Sequence, residues 1–292
     1  MIPEEQSGRE STRKSLTEHG LAPNKRFGQN FLVDERILEQ ILDAAAIDRQ
    51  DTVLEIGPGT GQLTRRIAER AGNLVAVEID RGLAGMLARE FEGDDHVKIH
   101  CADILKTDLP ALFSGMGTSS DTVPTVKVVA NLPYYITTPI LLSLLPMTDL
   151  FSRFVVMMQK EVADRMRARP GSKDYGALSL TVQYYAVPEI VTTVPPSAFY
   201  PQPDVTSAVL KLERPEEPPV SARDPEKMFA LIRAAFGKRR KTLVNAVAGA
   251  PQLGIDARTM KKALQDAGLD ESVRGEVLNL QDFARLCEVL SP

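Results

Sequence analysis

The stretch DTVLEIGPGTGQLTRRIAERAGNLVAVEID, residues 51–80, decides the fold class. Val53, Leu54 and Ile56 make a short apolar run of the kind a buried strand carries. A glycine turn follows, and GQLTRRIAERAG then reads as a helix that a glycine ends. NLVAVEID is a second strand. The same alternation continues outward in both directions. Upstream, Ile37, Leu38, Ile41, Leu42 and Ala45 recur at helical spacing and predict an amphipathic helix over 35–47. Downstream come the helix RGLAGMLAREF, a third strand ending at Asp103, a small-residue loop over 114–125, and the strand TVKVVAN. A helix around Thr138–Leu145, the strand RFVVMMQ and the helix KEVADRMRA complete the series. Strands alternating with helices imply a parallel, doubly wound, Rossmann-like α/β sheet that binds ligands at the carboxyl ends of its strands.

The pattern loosens after Gly176. The helix ALSLTVQYYA precedes two β-like runs, PEIVTTV and SAVLKLE, expected to form a terminal hairpin. RPEEPPVSARDPE is rich in proline and charge and reads as a linker, and the remainder is helical. The expected organisation is a polar, flexible tail over 1–24, an α/β domain over 25–213, a linker over 214–226 and a small all-helical domain over 227–292.

Composition narrows the function classes. Of 292 residues, 43% are apolar and 25% charged, which suits a globular protein with a sizeable core. No apolar run reaches bilayer length, and the N-terminus carries no apolar signal core. Cys101 and Cys287 are isolated, and His19, His96 and His100 lack metal-ligand spacing. A cytoplasmic, metal-free protein with free thiols is expected. The net charge of −4 conceals local patches. Between Arg223 and Lys241, seven basic residues, among them Lys238, Arg239, Arg240 and Lys241, face only Asp224 and Glu226. Most charge runs are solvated helix faces.

Gly57, Gly59 and Gly61 lie between a strand and a helix start, where the backbone can approach a ligand closely. Glu78 ends the next strand, 21 residues after Gly57, where a carboxylate can accept both hydroxyls of a ribose. Asp103 ends the third strand, placed to accept from an adenine amino group. Singly, each acid reads as a solvated strand end or a helix cap; together the three strand ends describe a nucleoside-shaped slot. A dinucleotide fingerprint has G-x-G-x-x-G, whereas this turn is G-x-G-x-G, preceded by Glu55 and short of one N–H donor at Pro58. An acid there suits a cationic ammonium or sulfonium better than a pyrophosphate, which favours S-adenosylmethionine over NAD.

The fourth strand runs into NLPYYITTPIL, residues 131–141. N-L-P-Y resembles the N-P-P-Y motif of methyltransferases that act on exocyclic amines of bases. Adenine's 6-amino lone pair is delocalised into the ring. The Asn131 side-chain carbonyl and the Leu132 main-chain carbonyl can accept its two N–H bonds and favour the pyramidal nitrogen of the transition state. Pro133 stiffens the turn and frees the Leu132 carbonyl. Tyr134 offers a face for the base to stack on, and Tyr135 is expected to fill the core.

Eight blocks in order carry a wider resemblance: KRFGQNFLVD (25–34), EIGPGTGQLT (55–64), VAVEID (75–80), CADIL (101–105), NLPYYITTPIL (131–141), MMQKEVADRM (157–166), SAFYPQPDVTSAVL (197–210) and AAFGKRRKTL (234–243). Over residues 23–292 the chain resembles the ribosomal RNA adenine dimethyltransferases, specifically their bacterial small-subunit branch. The resemblance implies that Asn30 and Leu32 join Gly57, Gly59, Glu78, Asp103 and Asn131 around S-adenosylmethionine. It implies that Phe199 forms a second wall against the target base opposite Tyr134, and that the KRRK run contacts RNA phosphates. The implied function is dimethylation of the 6-amino groups of two adjacent adenosines in the 3′-terminal hairpin loop of 16S rRNA, within a 30S subunit or its precursor. A monomer is expected. The alternatives are the sister branch that dimethylates large-subunit rRNA, a ribosome-assembly factor in which binding outweighs methylation, and an NAD-dependent oxidoreductase. The G-x-G-x-G spacing disfavours the last.

Overall fold

The structure is a computed structural model that describes residues 4–114, 125–238 and 240–290. Most of the loop expected over 114–125 lies outside the described residues. The chain forms two compact units, Met1–Ala163 with Pro188–Arg214, and Asp164–Val187 with Pro215–Pro292.

The first unit is built on strands β1 (Phe31–Leu32), β2 (Thr52–Ile56), β3 (Asn73–Glu78), β4 (Val97–Cys101), β5 (Val126–Asn131), β6 (Phe151–Gln159), β7 (Val187–Val194), β8 (Phe199–Tyr200) and β9 (Ser207–Glu213). Seven of them make one sheet in the order β4-β3-β2-β5-β6-β9-β7. The pairs β3–β4, β2–β3, β2–β5 and β5–β6 are parallel, and β6–β9 is antiparallel. From β2 the chain winds outward through β3 to β4, then returns to place β5 on the other side of β2. That reversal is the topological switch point, so the crevice above β2 and β5 is the expected ligand position. The two C-terminal β-runs, expected as a hairpin, join this sheet: β9 inserts between β6 and β7.

Helices α1 (Glu4–Glu18), α2 (Glu35–Ala45), α3 (Gln62–Arg70), α4 (Arg81–Glu90), α5 (Leu109–Phe113) and α6 (Thr137–Leu144) belong to this unit. The predicted periodicity of α2 is realised, with Ile37, Leu38, Ile41, Leu42 and Ala45 all buried. The Asp34 side chain caps α2 by accepting from the Arg36 N–H. These residues pack with Leu63 and Ile67 of α3 on the sheet face that presents Val53, Val129, Val155 and Val209. Strands β2 and β5 read as near-continuous apolar runs because both of their faces are covered.

The tail expected over 1–24 is corrected: residues 4–18 form α1. Its contact stripe is Gly8, Thr12 and Leu16, spaced one turn apart on one face. Leu16 packs with Phe31, Met86 and Leu87, while the buried Thr12 hydroxyl receives Gln62 Nε2 at 3.3 Å. A Cβ on Gly8 would stand 2.3 Å from the Val33 carbonyl oxygen, so the helix approaches as closely as it does because residue 8 has no side chain. Only Leu16 in that stripe is strongly apolar, which is why hydropathy showed no helix there.

The second unit holds α7 (Lys160–Met166) from Asp164 onward, α8 (Ala177–Tyr185), α9 (Pro225–Gly237), α10 (Leu243–Ala248), α11 (Ala257–Asp266) and α12 (Leu280–Leu290). Its core joins Leu180 of α8 to Met228, Phe229 and Ile232 of α9, Val244 and Val247 of α10, Leu264 of α11 and Phe283 of α12. Tyr184 meets Phe229 edge-on at 5.1 Å. The helical unit therefore begins inside the chain at Asp164 rather than at residue 227. The expected linker is not free either. Val220 is buried in the helical core, and α9 starts at Pro225 with Asp224 as its cap.

Candidate cofactor and substrate cleft

The carboxyl ends of β2, β3 and β5 open into one cleft. Its lining includes Asn30, Leu32, Gly57, Gly59, Glu78, Asp103 and Asn131, which are all the residues assigned above to a cofactor, together with Leu132, Pro133 and Tyr134. The glycine turn between β2 and α3 runs through positive φ at Gly57 (67°), Gly59 (60°) and Gly61 (82°), a path that any other residue resists. A Cβ on Gly59 would also press the Phe31 ring at 2.9 Å.

Glu78 is 4% exposed at the end of β3. Its Oε2 accepts the Gly59 N–H at 3.1 Å and its Oε1 accepts the Asp80 N–H at 2.8 Å. Burial pushes its pKa up, and these two N–H donors oppose the rise. A carboxylate has about four acceptor positions, so both oxygens retain capacity for a ligand's hydroxyls. Asp103 caps the short turn Ile104–Lys106 through the Leu105 N–H at 3.1 Å, and Lys106 stands 3.4 Å from its second oxygen. Cap and cleft wall are therefore the same side chain.

Glu55 lies on β2, 1% exposed, and lines the same cleft. Its Oε2 accepts no hydrogen bond. Burial pushes its carboxyl up to about 8; the Thr64 hydroxyl opposes this, the Glu78 carboxylate adds to it and the Arg65 guanidinium opposes it. A buried carboxyl with an oxygen that no donor reaches fits a ligand bearing positive charge and does not fit a pyrophosphate.

At the end of β5, Asn131 Nδ2 donates to the Asn30 main-chain carbonyl at 2.9 Å. Asn30 Nδ2 donates in turn to the Gly28 carbonyl at 3.1 Å. The first bond commits the Asn131 amide nitrogen and leaves Oδ1 as the acceptor it has to offer. Beside it, Leu132 donates its N–H to the Met157 carbonyl at 3.1 Å, while no hydrogen bond to its own carbonyl occurs among the described residues. The Pro133 carbonyl closes the turn by accepting from Ile136 N at 3.1 Å and Thr137 Oγ1 at 2.9 Å. Asn131 Oδ1 and the Leu132 carbonyl, on consecutive residues, thus remain as acceptors at the end of β5.

Two expectations change here, those for Tyr135 and Phe199. Tyr135 is not core but 59% exposed at the cleft, its ring lying over Gly28, because the turn at Pro133 directs it out of the sheet. Tyr134 is the anchored ring, its hydroxyl 2.6 Å from Oγ of the buried Ser207. Phe199 is fully buried and does not line the cleft. It packs in the core with Leu32 and Val209, because pairing of β8 with β1 sets Leu32 opposite Phe199. In this structure it supports the cleft loop rather than presenting a face to a base. Ser207 was missed; its one sequence signal was a polar residue opening the apolar strand SAVLKLE. Gln29 was missed as well, and ties the loop to the cap of α4 by donating to Asp80 Oδ2 at 3.1 Å.

The basic run lies in the second unit. Lys238, Arg240 and Lys241 are exposed in the turn between α9 and α10, and Arg239 lies outside the described residues. No helix is long and apolar enough to cross a membrane among the described residues.

Comparison with known proteins agrees with this geometry. The family model for the ribosomal RNA adenine dimethylases matches residues 20–286. A ribosomal RNA small subunit methyltransferase A from Moorella thermoacetica is 48% identical over 94% of this chain and 95% of its own. Among solved structures, a dimethyladenosine transferase from Plasmodium falciparum is 26% identical with a TM-score of 0.73, covering 88% of this chain and 95% of that one. The 23S rRNA methyltransferase ErmE is also 26% identical, with a TM-score of 0.65 over 90% of this chain and all of its own. With the match running through the cleft and both units, the chain belongs to the ribosomal RNA adenine dimethylase family.

Proposed function

We propose that this protein transfers methyl groups from S-adenosylmethionine to the 6-amino groups of two adjacent adenosines near the 3′ end of small-subunit rRNA, two to each. The carrying observation is the Asn131–Asn30 bond, which presents Asn131 Oδ1 beside the unengaged Leu132 carbonyl at the strand end next to the glycine turn. Two acceptors at that place match the two N–H bonds of a primary amine. They strengthen as the nitrogen pyramidalises and gains positive charge, so they act on the transition state more than on the ground state. No general base is needed, since the alkylated amine is acidic enough to lose its proton afterward.

S-adenosylmethionine supplies the electrophilic methyl on a sulfonium. Glu78 and Asp103 would hold its ribose and adenine, and the glycine turn with Asn30 and Leu32 its remaining part; Tyr134, fixed by Ser207, would stack the base. Stacking is worth about 1–3 kcal/mol, which offsets part of the few kcal/mol needed to extrude a base. Lys238, Arg239, Arg240 and Lys241 would hold RNA phosphates. The substrate is 16S rRNA within a 30S particle or its precursor, met by a monomer in the cytoplasm. The small-subunit reading is supported over the 23S branch by relatives at 42–48% identity bearing the small-subunit name, against 26% for ErmE.

Incubation with methyl-labelled S-adenosylmethionine and unmethylated 30S, 50S and naked rRNA tests the assignment. Label is expected in two adjacent adenosines of the 30S particle. Label confined to 50S would move the protein to the sister branch.

A further inference from the structure

Two carboxylic side chains are buried side by side at the floor of the cleft, and their surroundings differ. Glu78 receives main-chain N–H donors on both oxygens. Glu55 receives none on Oε2 and is 1% exposed. The groups that face Glu55 are few. From β3 there is the Glu78 carboxylate, and from α3 the Thr64 hydroxyl and the Arg65 guanidinium. Its in-register partners, Ala76 on β3 and Val129 on β5, are apolar. Arg65 is already engaged, with Nη2 on Glu90 Oε2 at 2.7 Å and Nη1 on the Thr60 carbonyl at 3.1 Å. A lone buried carboxylate beside a second acid is strongly disfavoured, so Glu55 carries its proton when no cation is near.

The place of Glu55 says which cation would change that. The transferred methyl has to face Asn131. Strands β2 and β5 run in register, Ile56 opposite Ala130, and a Cβ on Gly57 would stand 4.0 Å from the Asn131 carbonyl oxygen. The strand end that carries Glu55 is thus the immediate neighbour of the strand end that receives the methyl. The ribose and adenine ends of the slot, at Glu78 and Asp103, lie on the other side.

Resting on the cofactor reading above, we propose that Glu55 is a charge sensor for the sulfonium: it is neutral in the free protein, ionises when S-adenosylmethionine binds, and regains its proton once the methyl has left. The proton passes to solvent on binding and returns from solvent when the sulfonium becomes the neutral thioether of S-adenosylhomocysteine. The product cofactor then faces a neutral Glu55 and loses the charge attraction that held the substrate, so the same side chain favours substrate loading and product release.

Isothermal titration of the whole protein in buffers of different ionisation enthalpy reads the protons exchanged on binding. At pH 7, S-adenosylmethionine should release about 0.5–1 proton per site. S-adenosylhomocysteine, which keeps the ammonium but not the sulfonium, should release almost none. Affinity for the substrate cofactor should climb up to about tenfold per pH unit between roughly pH 6 and 8, with the product cofactor nearly flat. Glu55→Gln should abolish the proton release and bring the two affinities closer together. Equal release with both ligands, no release with the wild-type protein, or release that persists in Glu55→Gln would each overturn the proposal. Absence of binding by either ligand would instead overturn the cofactor assignment on which it rests.

Discussion

Replacing Asn131 by alanine removes two interactions that act at different stages of the reaction. The first is structural: Asn131 Nδ2 to the Asn30 carbonyl at 2.9 Å, which holds the 28–30 loop against the end of β5. Asn30 is only partly buried, so its carbonyl regains water, and the net loss is about 1 kcal/mol. That corresponds to about a fivefold weaker S-adenosylmethionine affinity. The second is chemical: in the proposed reaction Oδ1 is one of two acceptors for an amine that becomes cationic as the methyl arrives. Deleting one preorganised partner of developing charge costs about 3–4 kcal/mol, or 10²–10³ in rate. Single-turnover methyl transfer to unmethylated 30S particles at saturating S-adenosylmethionine separates the two, because saturation hides the affinity loss. The rate constant should fall by about 10²–10³ while 30S binding, measured by sedimentation, stays close to wild type. A single-turnover rate within about fivefold of wild type would refute the amine-presentation role and leave Asn131 as a strut for the loop.

Other perturbations follow from the same geometry. Neutralising Lys238, Arg240 and Lys241 should weaken RNA binding and make the slope of log affinity against log salt shallower by about 2–3, and an unchanged slope would remove the run from the RNA surface. The Glu55 pKa of about 8 lies above its ordinary 4.5, so the folded protein binds more protons than the unfolded chain between those values. Stability of the cofactor-free protein should therefore fall as pH rises through that window, by up to about 3 kcal/mol at pH 7. Glu55→Gln should flatten that fall in thermal unfolding from pH 5 to 8, leaving the part due to Glu78, whose pKa is also raised, against the opposing part due to His100, whose pKa burial lowers; an unaltered slope would contradict the burial argument. Gly8→Val places a side chain where a Cβ already meets the Val33 carbonyl oxygen at 2.3 Å, so hydrogen exchange over α1 should lose its protection. Wild-type protection in that variant would mean that α1 does not rest on Val33.

The elements that could be read from the chain are those whose burial is apolar and local. Helix α2 announces itself because five buried aliphatic and alanine side chains recur at helical spacing behind a capping Asp34. Strands β2 and β5 announce themselves because both faces are covered. Helix α1 does not, since its docking stripe is built on Gly8 and Thr12, where close approach replaces apolar area. The assignment of α8 was legible as a helix and illegible as a member of the helical unit, because its partners in the core, Met228 and Phe229 of α9, lie beyond three further strands in sequence.

The cleft divides along the same line. Which residues stand at the strand ends follows from where each apolar run stops, so Gly57, Glu78, Asp103 and Asn131 could be named one strand at a time. How those residues are aimed depends on partners far along the chain. Asn131 is oriented by Asn30, 101 residues away, and Tyr134 by Ser207, 73 residues away. Phe199 shows the consequence of not knowing such a pairing. Its block suggested a wall against the base, whereas the β1–β8 ladder places it opposite Leu32 and turns it into the core. Periodicity reports one element's environment, and family blocks list the members of a site without linking them. Since the proposed chemistry depends on which lone pair faces the amine, the bonds from Asn131 to Asn30 and from Tyr134 to Ser207 hold the part of that proposal that no single stretch of sequence contains.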